Sequence, residues 1–180
     1  MQINFPKNHR KIVDELMGGK FLLSTEAMFD DLKQNEEYYT HFFQTSFGYE
    51  FKITQEYAYL ISDESNEMLS RDISIFFAIL SYEMDRNGKN FLDQFQYGEF
   101  DLEAVDDFFD HSSYTDLIQA NRQLKDHESR KQLLNMMSRR NIIEKTSEDR
   151  FVFTNAYKVF MDFAHELAKW KFGNPELKLN

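Results

Sequence analysis

Hydrophobic and polar residues alternate along this chain of 180 residues with two different periods. A period of 3.6 residues is typical of an amphipathic helix, whereas a period of two is typical of a strand. The helical period recurs at residues 7–17, 24–34, 35–47, 70–86, 101–109, 114–124, 128–140 and from 156 onward. The strand period occurs at residues 49–61 and 142–154. Each stretch of strand period therefore follows a series of helices.

Short polar residues and glycines predict where the helices begin and end. Ser24, Asn35 and Asp101 each precede an apolar helical pattern and are predicted N-caps. Gly18 and the Asn87–Gly88 pair follow such patterns and are predicted stops.

Two β-hairpins are predicted from the strand period. The first joins residues 49–54 to 57–61, and the second joins residues 142–146 to 151–154. Residues 21–23 form a short extended piece, and residues 91–100 are predicted to be irregular or extended.

The order helix, short strand, helix, helix, hairpin occurs twice, which is the order of a winged helix. The predicted fold class is therefore mainly α with small β-hairpins (α+β), arranged as two tandem winged-helix domains. The predicted domains span residues 1–66 and 67–180, with a polar linker at 62–70. The second contains a nearly all-apolar central helix and ends in a closing helix, whose predicted stripe is Ala156, Phe160, Phe163, Leu167 and Trp170.

Composition excludes several classes of function. The chain has nineteen Phe and nine Tyr but no Cys, so disulfides, Cys-based zinc sites and thiol nucleophiles are excluded. Residues 1–10 lack the apolar core of a secretory signal, and the longest apolar stretch, residues 73–80, is too short to span a bilayer. We therefore expect a cytoplasmic protein without a membrane partner.

The formal net charge of −10 is distributed unevenly. Residues 26–119 hold 21 acidic and 5 basic side chains, a net of −16, whereas residues 121–145 hold 3 acidic and 7 basic ones, a net of +4. Since phosphates are repelled by an acidic surface, only the second segment is suited to nucleic acid.

Candidate catalytic and metal-binding patterns are weak. The five His residues, at 9, 41, 111, 127 and 165, include no pair at metal-ligand spacing, and no Gly-rich phosphate loop is present. Residues 83–88 resemble the opening of an EF-hand loop, but Gln94 stands where the bidentate Glu belongs. We predict no enzyme, no cofactor and no catalytic or metal-binding residue.

The charge of the third helix of each unit indicates whether that unit can bind DNA, since a winged helix often places its third helix in the major groove. Residues 35–47 contain no Lys or Arg, so this helix should not approach DNA. The second unit offers a basic set, for which a solvated helix face is an equally good explanation: Arg130, Lys131, Arg139, Arg140, Lys145 and Arg150. We expect DNA contact only within a larger complex.

Aromatic residues exceed what a helical core needs, and aromatic anchors with a polar rim suit protein interfaces. The predicted partner-binding set in the second unit is Phe91, Phe95, Tyr97, Phe100, Phe108, Phe109 and Tyr114. The predicted self-association set in the first unit is Tyr38, Tyr39, Phe42 and Phe43. Burial in the core is the alternative for each of these residues.

The order of features resembles the MksE and MukE families, the small subunits of MukBEF-type bacterial condensins, which are related to the ScpB proteins. Four strings carry the resemblance: LMGGKFLL at 16–23, GYEF at 48–51 with YAYLI at 57–61, RDISIFFAIL at 71–80, and the helix and wing at 133–153. Without the longer C-terminal region of MukE, the chain is expected to be more similar to the short MksE type.

This resemblance implies a homodimer that binds an extended stretch of a kleisin (MksF- or MukF-like), which joins it to an SMC ATPase (MksB- or MukB-like). The complex would act on the nucleoid, in chromosome organisation and segregation through DNA condensation, or in plasmid defence. Two alternatives stay open: a winged-helix DNA-binding transcription regulator, and an unrecognised enzyme.

Overall fold

The computed structural model describes residues 5–61, 67–162 and 164. The elements follow one another as α1 (His9–Met17), β1 (Leu22–Leu23), α2 (Ala27–Gln34), α3 (Glu36–Phe47), β2 (Glu50–Ile53), β3 (Tyr57–Ile61), α4 (Glu67–Arg86), α5 (Phe91–Tyr97), β4 (Glu99–Asp101), α6 (Leu102–Asp110), α7 (Thr115–Ala120), α8 (His127–Arg139), β5 (Ile143–Lys145) and β6 (Arg150–Phe153). A closing helix occupies residues 157–162.

The strands form two antiparallel sheets of three strands each, in the orders β1-β3-β2 and β4-β6-β5. In both sheets the hairpin supplies two strands. The third strand, β1 in the first sheet and β4 in the second, is short and pairs with the second strand of the hairpin. Leu22 pairs with Ala58 in the first sheet, and Phe100 pairs with Phe151 in the second. The predicted mainly α fold with small hairpins is thus confirmed, while its division into two winged-helix domains stays a prediction.

Each group of helices surrounds its own core. The first core includes Ile12, Leu16, Leu32, Tyr39 and Phe43, which are all almost fully buried. The second is built around α4, as expected of an apolar central helix. Its buried members on that helix are Ile73, Phe76, Phe77, Ile79, Leu80 and Met84.

The first sheet is covered on both faces, because neighbouring residues of a strand point to opposite sides. Leu22 and Ala58 lie in the first core, whereas Phe21 and Tyr57 lie in the second. The ring of Phe21 lies 5.8 Å from that of Phe160 in the closing helix. The sheet therefore joins the two units through apolar contact as well as along the chain.

Two predicted helix starts differ in detail. Ser24 does not cap α2, because the N-cap position of that helix is Glu26, two residues later. The N–H of Ser24 donates to the carbonyl of Glu56 (2.8 Å), so Ser24 continues the sheet. Asn35 does precede α3, but its side chain donates to the carbonyl of Asp31 (2.8 Å) and does not cap that helix.

The expectation of an irregular or extended segment was wrong for residues 91–97, which form helix α5, and was confirmed for Glu99 and Phe100, which lie in strand β4. Asn90 starts the helix, because its side chain accepts from the N–H groups of Leu92 and Asp93, as a good N-cap does. Phe95 then faces the core. Asp101 caps α6 as predicted, accepting from the N–H of Glu103 (2.9 Å).

The predicted linker is shorter than expected. Helix α4 begins at Glu67, so residues 67–70 are helical, and residues 62–66 lie outside the described residues. Helix α7 is also shorter than its pattern suggested. Ala156 and Phe160 of the closing stripe are buried, while Phe163, Leu167 and Trp170 are outside the described side chains.

Candidate protein-interaction surfaces

The seven predicted partner-binding aromatics separate by burial. Phe95, Phe100 and Phe109 are 1 %, 7 % and 1 % exposed, so they are core residues and the prediction that they contact a partner directly is wrong. The ring of Phe95 lies 5.0 Å from that of Phe153, which shows how the inner face of α5 packs on the second sheet. Phe91, Phe108 and Tyr114 are half-buried.

Helix α5 carries two exposed apolar side chains. Tyr97, at its end, is 78 % exposed, and Leu92, five residues earlier, is 38 % exposed. Leu92 was missed because residues 91–100 were not expected to be helical. Phe91 and Phe95 at i and i+4 define the inner face, so a helical interpretation would have placed Leu92 outside.

A pair of tyrosines lies where α4 meets the start of α7. The rings of Tyr82 and Tyr114 are 4.9 Å apart in a T-shaped contact, and Tyr82 is 42 % exposed. The loop before Tyr114 is held by the carboxylate of Glu83, which is 2 % exposed and accepts from the Ser112 hydroxyl (2.7 Å). Burial raises the pKa of the Tyr114 hydroxyl. Tyr82 was missed as a surface residue because α4 is apolar nearly all round.

The four predicted self-association residues also divide into core and surface. Tyr39 and Phe43 are both 0 % exposed and belong to the first core, so direct contact with a partner is wrong for them. Tyr38 and Phe42 are half-buried on the next stripe of α3, with their rings stacked 6.0 Å apart. Burial raises the pKa of Tyr39 to about 12.

His9 ties this stripe to the start of the chain. Its ring stacks on Phe5 (4.7 Å between centroids) and meets Phe42 edge-on (5.0 Å). Phe47 continues the stripe, 5.8 Å from Phe42. We call Phe5, His9, Tyr38, Phe42 and Phe47 the aromatic stripe. Within the described part of the chain, Nδ1 of His9 is buried without a hydrogen-bond partner, and burial lowers the pKa of this imidazole.

Arg130 is an interior residue, and its assignment to a DNA-contacting surface is wrong. The residue is 1 % exposed. Its Nε donates to Asp106 (2.5 Å), its Nη2 to Asp110 (2.8 Å) and its Nη1 to the carbonyl of Leu124 (3.0 Å). The guanidinium therefore joins α8 to α6 and is not available to a phosphate.

Two of the other five predicted basic residues, Lys131 and Arg150, are paired with carboxylates. Lys131 lies 3.2 Å from Asp149, and Arg150 lies 3.2 Å from Glu99 and 3.4 Å from Asp101. These acids are distant in the sequence or across the hairpin turn, so the local count of basic residues could not reveal the pairing. The net field of this face is consequently much weaker than its Lys and Arg content suggests.

Arg139, Arg140 and Lys145 complete the basic set. Arg139 is exposed and forms no ion pair with a described residue. Arg140 is half-buried where the two units meet, and burial lowers the pKa of its guanidinium. Lys145 donates to the side chain of Asn135 (2.6 Å). The structure thus does not gather the predicted residues into one basic surface.

Comparison with known families matches residues 7–165 to the model described as "Condensin complex protein MksE". The chain belongs to the MksE family. The match runs from just before α1 to the closing helix, so it includes both helix-plus-hairpin units of this MksE chain. No curated protein sequence matches it.

Membership of the MksE family makes the chain a condensin complex protein. Contact with other subunits is therefore expected on the surface of this MksE chain, where exposed apolar side chains are the best candidates. Among the described residues, no helix has the length and apolar character needed to cross a bilayer.

Proposed function

We propose that this chain is a non-enzymatic subunit of a MukBEF- or MksBEF-type condensin that forms a homodimer and binds the kleisin. Through the kleisin it joins an SMC ATPase, which supplies the ATP hydrolysis. The complex acts in chromosome organisation and segregation or in plasmid defence. The observation that carries the proposal is the exposure of the apolar side chains Tyr97 and Leu92 on α5, within a chain of the MksE family.

The outer face of α5 has the character of a protein-binding site. Tyr97 is the most exposed large apolar side chain in the described part of the chain, at 78 %. A tyrosine that becomes buried on binding is a frequent hot spot, since it adds a large area at a small cost in conformational entropy. Asp93 and Glu99 flank the site and favour a segment of kleisin that carries basic residues.

The aromatic stripe is our candidate for the dimer contact. Phe5 and Phe47 are 56 % and 44 % exposed, and Tyr38 and Phe42 form a half-buried floor between them. A surface that pairs with its own copy must be self-complementary, which stacked rings achieve without opposing like charges. The stripe lies on the first unit and α5 on the second, so each can be tested without disturbing the other.

DNA contact belongs to the assembled complex in this proposal, with Arg139 as its candidate residue. The alternative of a transcription regulator would require α8 to present basic residues to the major groove. Arg130 is buried and Lys131 is paired with carboxylates, and this pairing favours the condensin subunit.

Two substitutions provide the test and serve as controls for each other. Tyr97→Ser should weaken binding of the purified kleisin subunit at least about tenfold, by calorimetry, since it removes a central anchor. It should leave the mass of the homodimer unchanged by light scattering. Phe47→Ser should do the reverse, producing monomer with unchanged kleisin affinity.

The proposal fails if the wild-type chain does not bind the kleisin at all. The proposed binding site on α5 is wrong if Tyr97→Ser binds the kleisin as tightly as wild type. Tight binding of one DNA sequence at physiological salt, without kleisin binding, would favour the transcription regulator.

A further inference from the structure

Strands β1 and β4 each lie at the edge of a sheet. One hydrogen-bonding edge of each strand pairs with its neighbour in the sheet, and the other edge faces outward. In the first sheet, the N–H of Ser24 donates to the carbonyl of Glu56 (2.8 Å), and Leu22 pairs with Ala58. Because backbone groups of an antiparallel strand alternate in direction, those of Phe21 and Leu23 point away from β3.

These outward groups of the first sheet are satisfied within the chain. The N–H of Phe21 donates to the carbonyl of Arg140 (3.0 Å), and its carbonyl accepts from the side chain of Asn141 (2.8 Å). The N–H of Leu23 donates to Glu26 (2.8 Å). A segment of the second unit, residues 140–141, therefore occupies this edge.

The second sheet repeats the geometry. The N–H of Leu102 donates to the carbonyl of Asp149 (2.8 Å), as Ser24 does to Glu56. Phe100 pairs with Phe151, as Leu22 does with Ala58. By the same alternation, the backbone groups of Glu99 and Asp101 point away from β6.

The equivalent edge of the second sheet is open in the described part of the chain. No described residue forms a hydrogen bond with the N–H or carbonyl of Glu99, or with the N–H of Asp101. The side chain of Glu99 is 42 % exposed. Tyr97, which has the most exposed aromatic side chain among the described residues, lies two residues before this edge. An unpaired strand edge beside an aromatic anchor is the arrangement that accepts an added strand.

We propose that β4 binds an extended segment of the kleisin by strand addition, with the backbone of Glu99 and Asp101 pairing with it and Tyr97 covering one of its side chains. This inference rests on the proposed function and specifies how the partner is held. It also predicts that the bound segment carries basic residues.

Charge favours this occupant over a second copy of the chain. Asp93, Glu99, Asp101 and Glu103 stand around the edge, and Arg150 offsets only part of their charge. A second copy with a net charge of −10 would meet repulsion there, whereas a basic segment would be attracted.

Proline tests the backbone contact directly. Glu99→Pro removes an N–H that points away from β6, so it leaves the ladder of the sheet intact. Gly98, with φ −84° and ψ 146°, already has the extended conformation that precedes proline. Glu99→Ala is the matched control, because it removes the same carboxylate but keeps the N–H. We expect Glu99→Pro to bind the kleisin subunit about tenfold more weakly than Glu99→Ala.

Hydrogen exchange on the wild-type protein gives a second measurement that does not depend on the variant folding. The amides of Glu99 and Asp101 should exchange more slowly in the complex with the kleisin subunit than in the free chain. If the kleisin binds but these amides are not protected, or if both Glu99 variants bind equally, strand addition is wrong while kleisin binding stands. If no kleisin binds to wild type, the proposed function itself is wrong. Protection that depends on chain concentration without kleisin would overturn the choice of partner.

Discussion

Substitution of Arg130 by Met should destabilise the fold, because this arginine is a structural residue between α6 and α8. Its side chain is 2 % exposed and holds Asp106 at 2.5 Å and Asp110 at 2.8 Å. It also satisfies the carbonyl of Leu124 at 3.0 Å. Methionine fills similar space, so the loss is that of charge and hydrogen bonds more than of volume.

The size of the effect follows from what the substitution leaves behind. Removing one partner of a buried ion pair costs about 3–5 kcal/mol, since the other charge stays buried. The Asp110 side chain is 59 % exposed and can return to water, and Asp106 keeps a contact with His127 at 2.5 Å. We therefore expect Arg130→Met to lower the free energy of unfolding by about 3 kcal/mol, the lower limit of that range. With a urea dependence of roughly 2 kcal/mol per molar, the unfolding midpoint falls by about 1.5 M.

Urea unfolding followed by circular dichroism measures this shift. Lys131→Met is the matched control, one residue later on the same helix, and its carboxylate partners Glu148 and Asp149 are 82 % and 53 % exposed. Because exposed pairs contribute little, this control should unfold with the wild type. Equal midpoints for the two variants would refute our account of Arg130. Reduced DNA retention by the complex with unchanged stability would instead restore Arg130 as a DNA contact.

Three further predictions concern the first unit, the contact between units and DNA. Burial lowers the pKa of His9 below its ordinary 6.5. The unfolded chain therefore binds the proton more tightly, and stability is lost as the pH falls below about 6.5. The urea midpoint should decline more steeply between about pH 7.5 and 5 in wild type than in His9→Phe. Asn141 has φ 59°, and its side chain donates to the carbonyl of Phe21. In urea unfolding, Asn141→Gly should lower the free energy of unfolding by about 1 kcal/mol, because the hydrogen bond is lost. Asn141→Ala should lower it by about 1 kcal/mol more, because alanine disfavours the left-handed backbone, and equal losses for the two variants would contradict this separation. Arg139→Glu should weaken DNA retention by the assembled complex in filter binding without changing kleisin affinity, and unchanged retention would remove Arg139 from the DNA contact.

Several elements were predictable because their signals are local. The alternation of Phe51 with polar neighbours indicated β2, and Asp101 before an apolar helical pattern indicated the start of α6. Helix α5 was missed, because its seven residues span only two turns and its aromatics suggested an irregular segment. Its cap, Asn90, was the local signal that could have identified it.

The two helix-plus-hairpin units and their order could be predicted from the amino-acid sequence, since period and capping act between residues close in the chain. Which aromatic side chains are exposed depends on the tertiary fold, because a period marks one face of a helix without identifying what covers it. Tyr97 is open to solvent and Phe95, two residues earlier, is buried. The same holds for charge: Arg130 is neutralised by Asp106, 24 residues away. Contacts over such separations depend on how the chain folds back on itself, and they decide which surfaces remain for a partner.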